Sequence, residues 1–293
     1  MIGIISEMFQ FPFMIRAVVA GSLIALCAAL LGVCLVLKRF SMIGDGLSHV
    51  GFSALAIASV LGFAPLAVAI PVVVVTAFLL LRLSNSKRLA GDSAIALVSV
   101  SALAIGVIVL SLTTGMTTDV NNYMFGSILS MSAQDAVIGV AVSVLIILLF
   151  VIFYHRIFAV TMDESFARAT GINADGYKMV LSILTAIVIV MGLRLVGAML
   201  ISGLLIFPAL SAMRVAKSFK GVTIIAGALS VACFIIGIVV SFLLAMPTGA
   251  TVICVNLVCF IICSLLRKYQ MNFFDVIFLH FDYGQLGSVI KGN

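Results

Sequence analysis

In the stretch RFSMIGDGLSHVGFSALAIA, residues 39–58, four polar side chains recur every four residues: Ser41, Asp45, His49 and Ser53. On a helix this spacing drifts slowly around one face, so a carboxylate and an imidazole stand one turn apart, within reach of a single ion. Carboxylate oxygen and imidazole nitrogen both suit first-row divalent cations, zinc among them. The setting makes the pair costly. The chain has ten acidic residues and three histidines in 293, and an Asp at the centre of a membrane helix costs about 2.5–3.5 kcal/mol. Such residues face a cavity, a partner or a substrate path. Spacing alone leaves two readings open. Asp45 and His49 handle a metal ion or a proton, or Asp45 caps a helix start beside Lys38 and Arg39 while His49 is packed. Two ligands do not complete a metal site, so further donors must come from elsewhere.

The elements that must position this pair are membrane helices. Hydrophobic residues make up 64% of the chain and charged residues 9%, with a mean hydropathy of +1.39. A soluble domain carries roughly a quarter charged residues. Apolar runs able to cross a ~30 Å hydrocarbon core fall at 13–37, 46–62, 65–83, 93–113, 136–155, 178–193, 195–212, 222–244 and 250–266. The fold class is an all-α polytopic membrane protein: nine spans, or eight if the two stretches flanking Arg194 make one bent unit. Residues 115–135 are too polar to span and read as a loop with a short interfacial or re-entrant helix. The N-terminus lacks the basic region and cleavage site of a removable signal peptide. With the N-terminus outside, nine crossings place fourteen of the sixteen Lys and Arg residues inside and leave only Arg16 and Arg194 outside. The positive-inside rule favours this threading, with the C-terminus cytoplasmic. It also accounts for the net charge of +6 without nucleic acid.

Other signals describe packing. The six cysteines all lie within predicted spans, none in a C-x-x-C pair, and read as reduced packing residues; Cys259 and Cys263 share a helix face, the one conceivable soft-metal position. Ala17, Gly21, Ala25 and Ala29 repeat every four residues, as do Gly237, Ser241 and Ala245, and such stripes let helices approach closely in lipid. Pro208 and Pro247 read as kinks or ends of helices. An intramembrane hydrolase is disfavoured because H-E-x-x-H is absent; His155 sits at an inner boundary beside Arg156 and His280 lies in the tail. A proton-coupled secondary cation transporter would use the same Asp–His stripe without an ATPase. The residues from 267 to 293 read as a cytoplasmic or interfacial tail.

LGVCLVLKRFSMIGDGLSHVGFSALAIA resembles the signature of the permease subunits of metal-ion ABC importers, the zinc and manganese (ABC-3) family. The similarity continues through GDSAIALVSVSALAIGVIVLS, NNYMFGSIL, FAVTMDESFARATGI and LRLVGAMLISGLLIFPALSAMRVAK, in the family's order over nearly the whole chain. Many relatives have a small residue and then Pro after the His; here Gly51-Phe52-Ser53 implies a straighter helix.

The resemblance implies a single permease domain over 1–293, of type II ABC importer fold, in the cell membrane. It implies that Asp45 and His49 coordinate the ion in transit, and that no cofactor is bound permanently. The segment 156–177 matches a cytoplasmic coupling loop whose core, Asp163–Gly171, docks in a groove of the ATPase. The residues there support a short amphipathic helix: Asp163 and Glu164 complement its dipole at the start, Phe166, Ala167 and Arg168 follow, and Gly171 can end it. No G-x-x-x-x-G-K-[ST] motif occurs, so nothing in the chain cradles ATP phosphates and the chain is not itself the ATPase. The implied partners are a separate ATP-binding ABC subunit, a second permease copy, an extracytoplasmic metal-binding protein and the lipid bilayer. The GDGLSH form and NNYMFGSIL point toward zinc, with manganese or iron as alternatives.

Overall fold

In lipid, a backbone amide finds no partner in the solvent, so apolar segments of this length must satisfy their own hydrogen bonds as helices. The computed structural model describes residues 11–84, 91–113 and 132–267, and among these all regular structure is helical. In chain order the helices are α1 (Pro12–Leu37), α2 (Ser41–Val60), α3 (Pro65–Ser84), α4 (Gly91–Thr113), α5 (Ala133–Ile152), α6 (Tyr154–Met162), α7 (Glu164–Ala169), α8 (Ala174–Val196), α9 (Ala198–Val215), α10 (Phe219–Leu244) and α11 (Thr248–Arg267). Eight are long and apolar enough to cross a membrane, and α3 adds a ninth apolar helix over Pro65–Leu81. Most of the predicted loop at 115–135, and the tail after Arg267, lie outside the described residues.

Two helices organise the bundle. α1 packs against α5, α9 and α10, while α2 packs against α3 and α4; α8 and α9 touch both groups and join them. Small residues permit the closest approach. Ala17, Ala25 and Ala29 are fully buried, and Gly32 of α1 lies so close to α9 that an added Cβ would stand 2.0 Å from the Leu205 carbonyl oxygen. The peripheral helices α4, α5 and α11 bury less than a third of their apolar windows. Their exposed Leu97, Val137 and Ile262 side chains suit a hydrocarbon solvent.

Helix ends depart from the sequence expectation in instructive ways. α2 begins at Ser41, several residues before the expected 46, because α1 ends in a Schellman turn. Phe40 N–H reaches Leu35 O at 2.8 Å and Arg39 N–H reaches Val36 O at 3.0 Å, with Arg39 left-handed at φ 62°. The break expected at Met191–Leu195 falls instead at Gly197, whose φ of 97° and ψ of 156° belong essentially to glycine alone. Arg194 thus does not interrupt a helix. It sits in the last turn of α8 and pairs with Asp135 of α5 at 2.9 Å. Pro208 lies inside α9 without ending it. Ala245 leaves its stripe as the left-handed cap of α10.

Candidate functional site

α2 holds Asp45 and His49 on the one face its neighbours leave open. From Ser41 to Ala56 only Ser41, Met42, Asp45 and His49 escape full burial. The rest of the helix is fixed by close packing, and the open stripe ends one turn beyond His49, where Phe52 is fully buried. Ser48 Oγ lies 3.0 Å from Ser202 Oγ of α9 and donates to Asp45 O at 2.7 Å. These contacts clamp the rotation of α2 and so set the direction in which the Asp–His pair points.

The pair itself is poised rather than satisfied. His49 Nε2 lies 3.6 Å from Asp45 Oδ2, with side chains 21% and 39% exposed. This is too long for a hydrogen bond. It is close to the separation of about 3.3 Å that two donors adopt on a tetrahedral ion at ~2.0–2.1 Å ligand distances. His49 Nδ1 is buried without a hydrogen-bond partner. Asp45 is the fifth residue of α2, whose N-cap position is Phe40 with no side-chain cap, so its carboxylate is not placed to cap the helix. α2 continues unbroken to Val60, as Gly51-Phe52-Ser53 implies. Among the described residues no third His, Cys, Asp or Glu joins the pair in a metal-binding group. The cysteines are free thiols; Cys27 Sγ donates to Ser143 O at 3.4 Å, tying α1 to α5.

The second predicted site is the segment from Asp163 to Gly171. Asp163 caps α7, its carboxylate accepting from Phe166 N–H at 2.9 Å. Gly171, at φ 82°, ends the turn, with Ile172 N–H on Ala167 O at 2.9 Å. Ala167 is fully buried beneath it, while Phe166 is 62% exposed, a large apolar ring presented outward.

Sequence reasoning missed what Glu164 does. Its carboxylate gathers three cations: Lys178 Nζ at 2.6 Å, Arg168 Nη2 at 2.7 Å and Lys38 Nζ at 3.7 Å. Arg168 and Lys178 also reach Asp175 at 3.0 and 3.3 Å. α7 is thereby tied to α8 and to the turn from which α2 starts. Burial alone would raise the Glu164 carboxyl, but the hydrogen bond and charge of Lys178, with Lys38 and Arg168, bring it below its usual range. Burial lowers the Lys38 ammonium, against the pull of Glu164. The only sequence signal was the i,i+4 spacing of Glu164 and Arg168; the lysines come from distant segments.

A sequence profile described as the ABC 3 transport family matches residues 10–267. The chain is 26% identical to a manganese import system permease protein of Streptococcus gordonii over 91% of this chain and 95% of that one. It is equally 26% identical to a high-affinity zinc uptake system membrane protein of Haemophilus influenzae, over 89% of this chain and the whole of the relative. Among solved structures, PsaBC from Streptococcus pneumoniae in complex with Fab superposes with a TM-score of 0.81 at 26% identity, covering 90% of this chain and 95% of that one. The chain belongs to the ABC 3 transport family, the membrane permeases of metal-ion ABC importers.

Proposed function

We propose that this permease passes a divalent metal ion, zinc first, along the open face of α2, with Asp45 and His49 as its ligands in transit. The observation that carries the reading is the pair itself. A carboxylate and an imidazole occupy the single accessible stripe of a helix buried everywhere else in its first four turns, at an ion's spacing. Asp45 offsets part of the charge of a dication whose burial without a counter-charge is prohibitive, and His49 adds a neutral nitrogen donor. A second copy of the chain, facing the open stripe of α2, would bring another Asp–His pair and close the path.

In this reading the N-terminus lies outside and the basic ends of the helices face the cytoplasm. α7 then faces a separate ATPase subunit, with Phe166 and the cap formed by Asp163 as the docking surface. Glu164 and Arg168 carry its motion to α8 and α2, and Gly171 fixes its end. An extracytoplasmic binding protein delivers the ion. Manganese is the second reading, favoured by the Streptococcus gordonii relative, since identity to zinc and manganese relatives is the same. Mixed nitrogen and oxygen donors accept either metal. The deciding experiment measures cellular metal content by mass spectrometry in cells carrying the intact transporter and in a deletion strain. Zinc loss on deletion supports the first reading and manganese loss the second; no change in either would sink both.

A further inference from the structure

A groove of about 460 Å³ opens between α1, the α5–α6 junction and α10, within the ~300–1,000 Å³ range of ligand pockets. Its character changes along its length. Leu26 and Leu30 of α1, Val151 of α5, and Ile224, Gly227 and Ala228 of α10 give it an apolar body. Its charged and titratable lining groups gather at one end: Lys220, the second residue of α10, with Tyr154 and His155 opening α6. Ala228 lies two turns along α10 from Lys220, about 12 Å deeper by helical rise. Val151 and Ile224 of the apolar body are 63% and 61% exposed, so the groove opens sideways onto hydrocarbon.

Charge decides the occupant. No carboxylate lines the groove, and Lys220 takes part in none of the ion pairs of the described residues. Lys220 and His155 are both exposed. The neighbouring cation Arg156 is held by Tyr177, its Nη1 donating to the hydroxyl at 2.7 Å. A basic, hydrogen-bonding mouth above an apolar furrow between membrane helices has the form of a phospholipid site, and basic pockets of this kind select anionic headgroups.

We propose that this groove binds one acidic phospholipid of the leaflet at the Lys38 end of the bundle. Its phosphate sits on Lys220 and His155, and one acyl chain lies along α10 from Ile224 past Ala228. The site is separate from the Asp45–His49 face and does not depend on the transported metal. The test is native mass spectrometry of the purified permease in detergent, titrated with phosphatidylglycerol or phosphatidylcholine, with thermal melts in parallel. Wild type retains phosphatidylglycerol in preference to phosphatidylcholine and is stabilised by it. Lys220→Gln weakens phosphatidylglycerol binding roughly fivefold, the worth of one lysine near an acidic surface. Ala228→Phe fills the furrow from an exposed position, leaving the lipid-free melt unchanged while abolishing the stabilisation. Equal retention of the two lipids by wild type marks ordinary boundary lipid and overturns the proposal. Unaltered phosphatidylglycerol binding by both variants overturns it as well.

Discussion

Replacing Glu164 with Gln removes one negative charge and nearly nothing else, which makes its consequence calculable. The carboxylate holds Lys178 and Arg168 at 2.6 and 2.7 Å and faces Lys38 at 3.7 Å. The lysine side chains are only 13% and 15% exposed, while Glu164 is 35% exposed. Breaking a buried pair costs about 3–5 kcal/mol because an unpaired charge is left behind, whereas an exposed pair is worth about 0.2–1 kcal/mol. Solvent screening at Glu164 places Glu164→Gln between these limits, and Asp175 still serves Lys178. The expected destabilisation is about 1–2 kcal/mol at pH 7, or a fall of roughly 2–3 °C in the thermal midpoint.

The pH dependence provides the sharper check. A carboxyl held below its ordinary value contributes stability that is complete above the unfolded value and is lost as pH falls through the folded one. The gap between wild type and Glu164→Gln should therefore hold from pH 8 to about 5.5 and close in acid, below the ordinary glutamate range near ~4.3. Lys38, lowered by burial, gives the same sign of slope in a different window: the cost of its buried charge is relieved only as pH rises through its folded value, on the alkaline side. It leaves the acid window untouched. The chain has no tryptophan, so helix melting by far-ultraviolet circular dichroism is the assay. Equal midpoints at pH 7, or a gap that widens in acid, would refute the three-cation account of Glu164.

Phe166→Asp places a charge on a ring that is 62% exposed, so stability should shift by less than ~0.5 kcal/mol while co-purification with the ATPase subunit is lost; unchanged co-purification and transport would make α7 a mere connector. Gly32→Ala sets a methyl 2.0 Å from the Leu205 carbonyl oxygen, a backbone clash that no rotamer relieves. It should cost about 3 kcal/mol or more and leave little monodisperse protein on gel filtration, whereas a wild-type profile and midpoint would show that α1 and α9 are packed less closely than described.

The Asp45–His49 pair was legible in the sequence because helical spacing alone puts residues four apart on one face. That the chain is a bundle of membrane helices was legible because hydropathy reports what lipid demands of a backbone; that Pro65–Leu81 is a shorter apolar helix than the eight candidate spans was not. The early start of α2 was not. Its turn uses Arg39 at positive φ, where sequence rules look for glycine. Arg194 looked like an interruption because its partner, Asp135, lies in another helix. Lys38 and Glu164 likewise meet only through the fold. Which face of α2 stays open was equally hidden, since it depends on Ser48 meeting Ser202 of α9.

The central claim is that Asp45 and His49 stay in an apolar helix because they carry the ion. Uptake of radioactive zinc and manganese by the assembled transporter bearing Asp45→Asn, at matched expression and with the ATPase still bound, tests it most directly. Asn keeps the shape of Asp and removes the charge that offsets the dication, and Asp45 is fifth in α2 and caps nothing. Uptake should therefore vanish while the helix melt is unchanged or slightly raised, as a costly carboxylate leaves the membrane. His49→Ala beside it should reduce uptake severely. Near-normal uptake of both metals by Asp45→Asn would contradict the account.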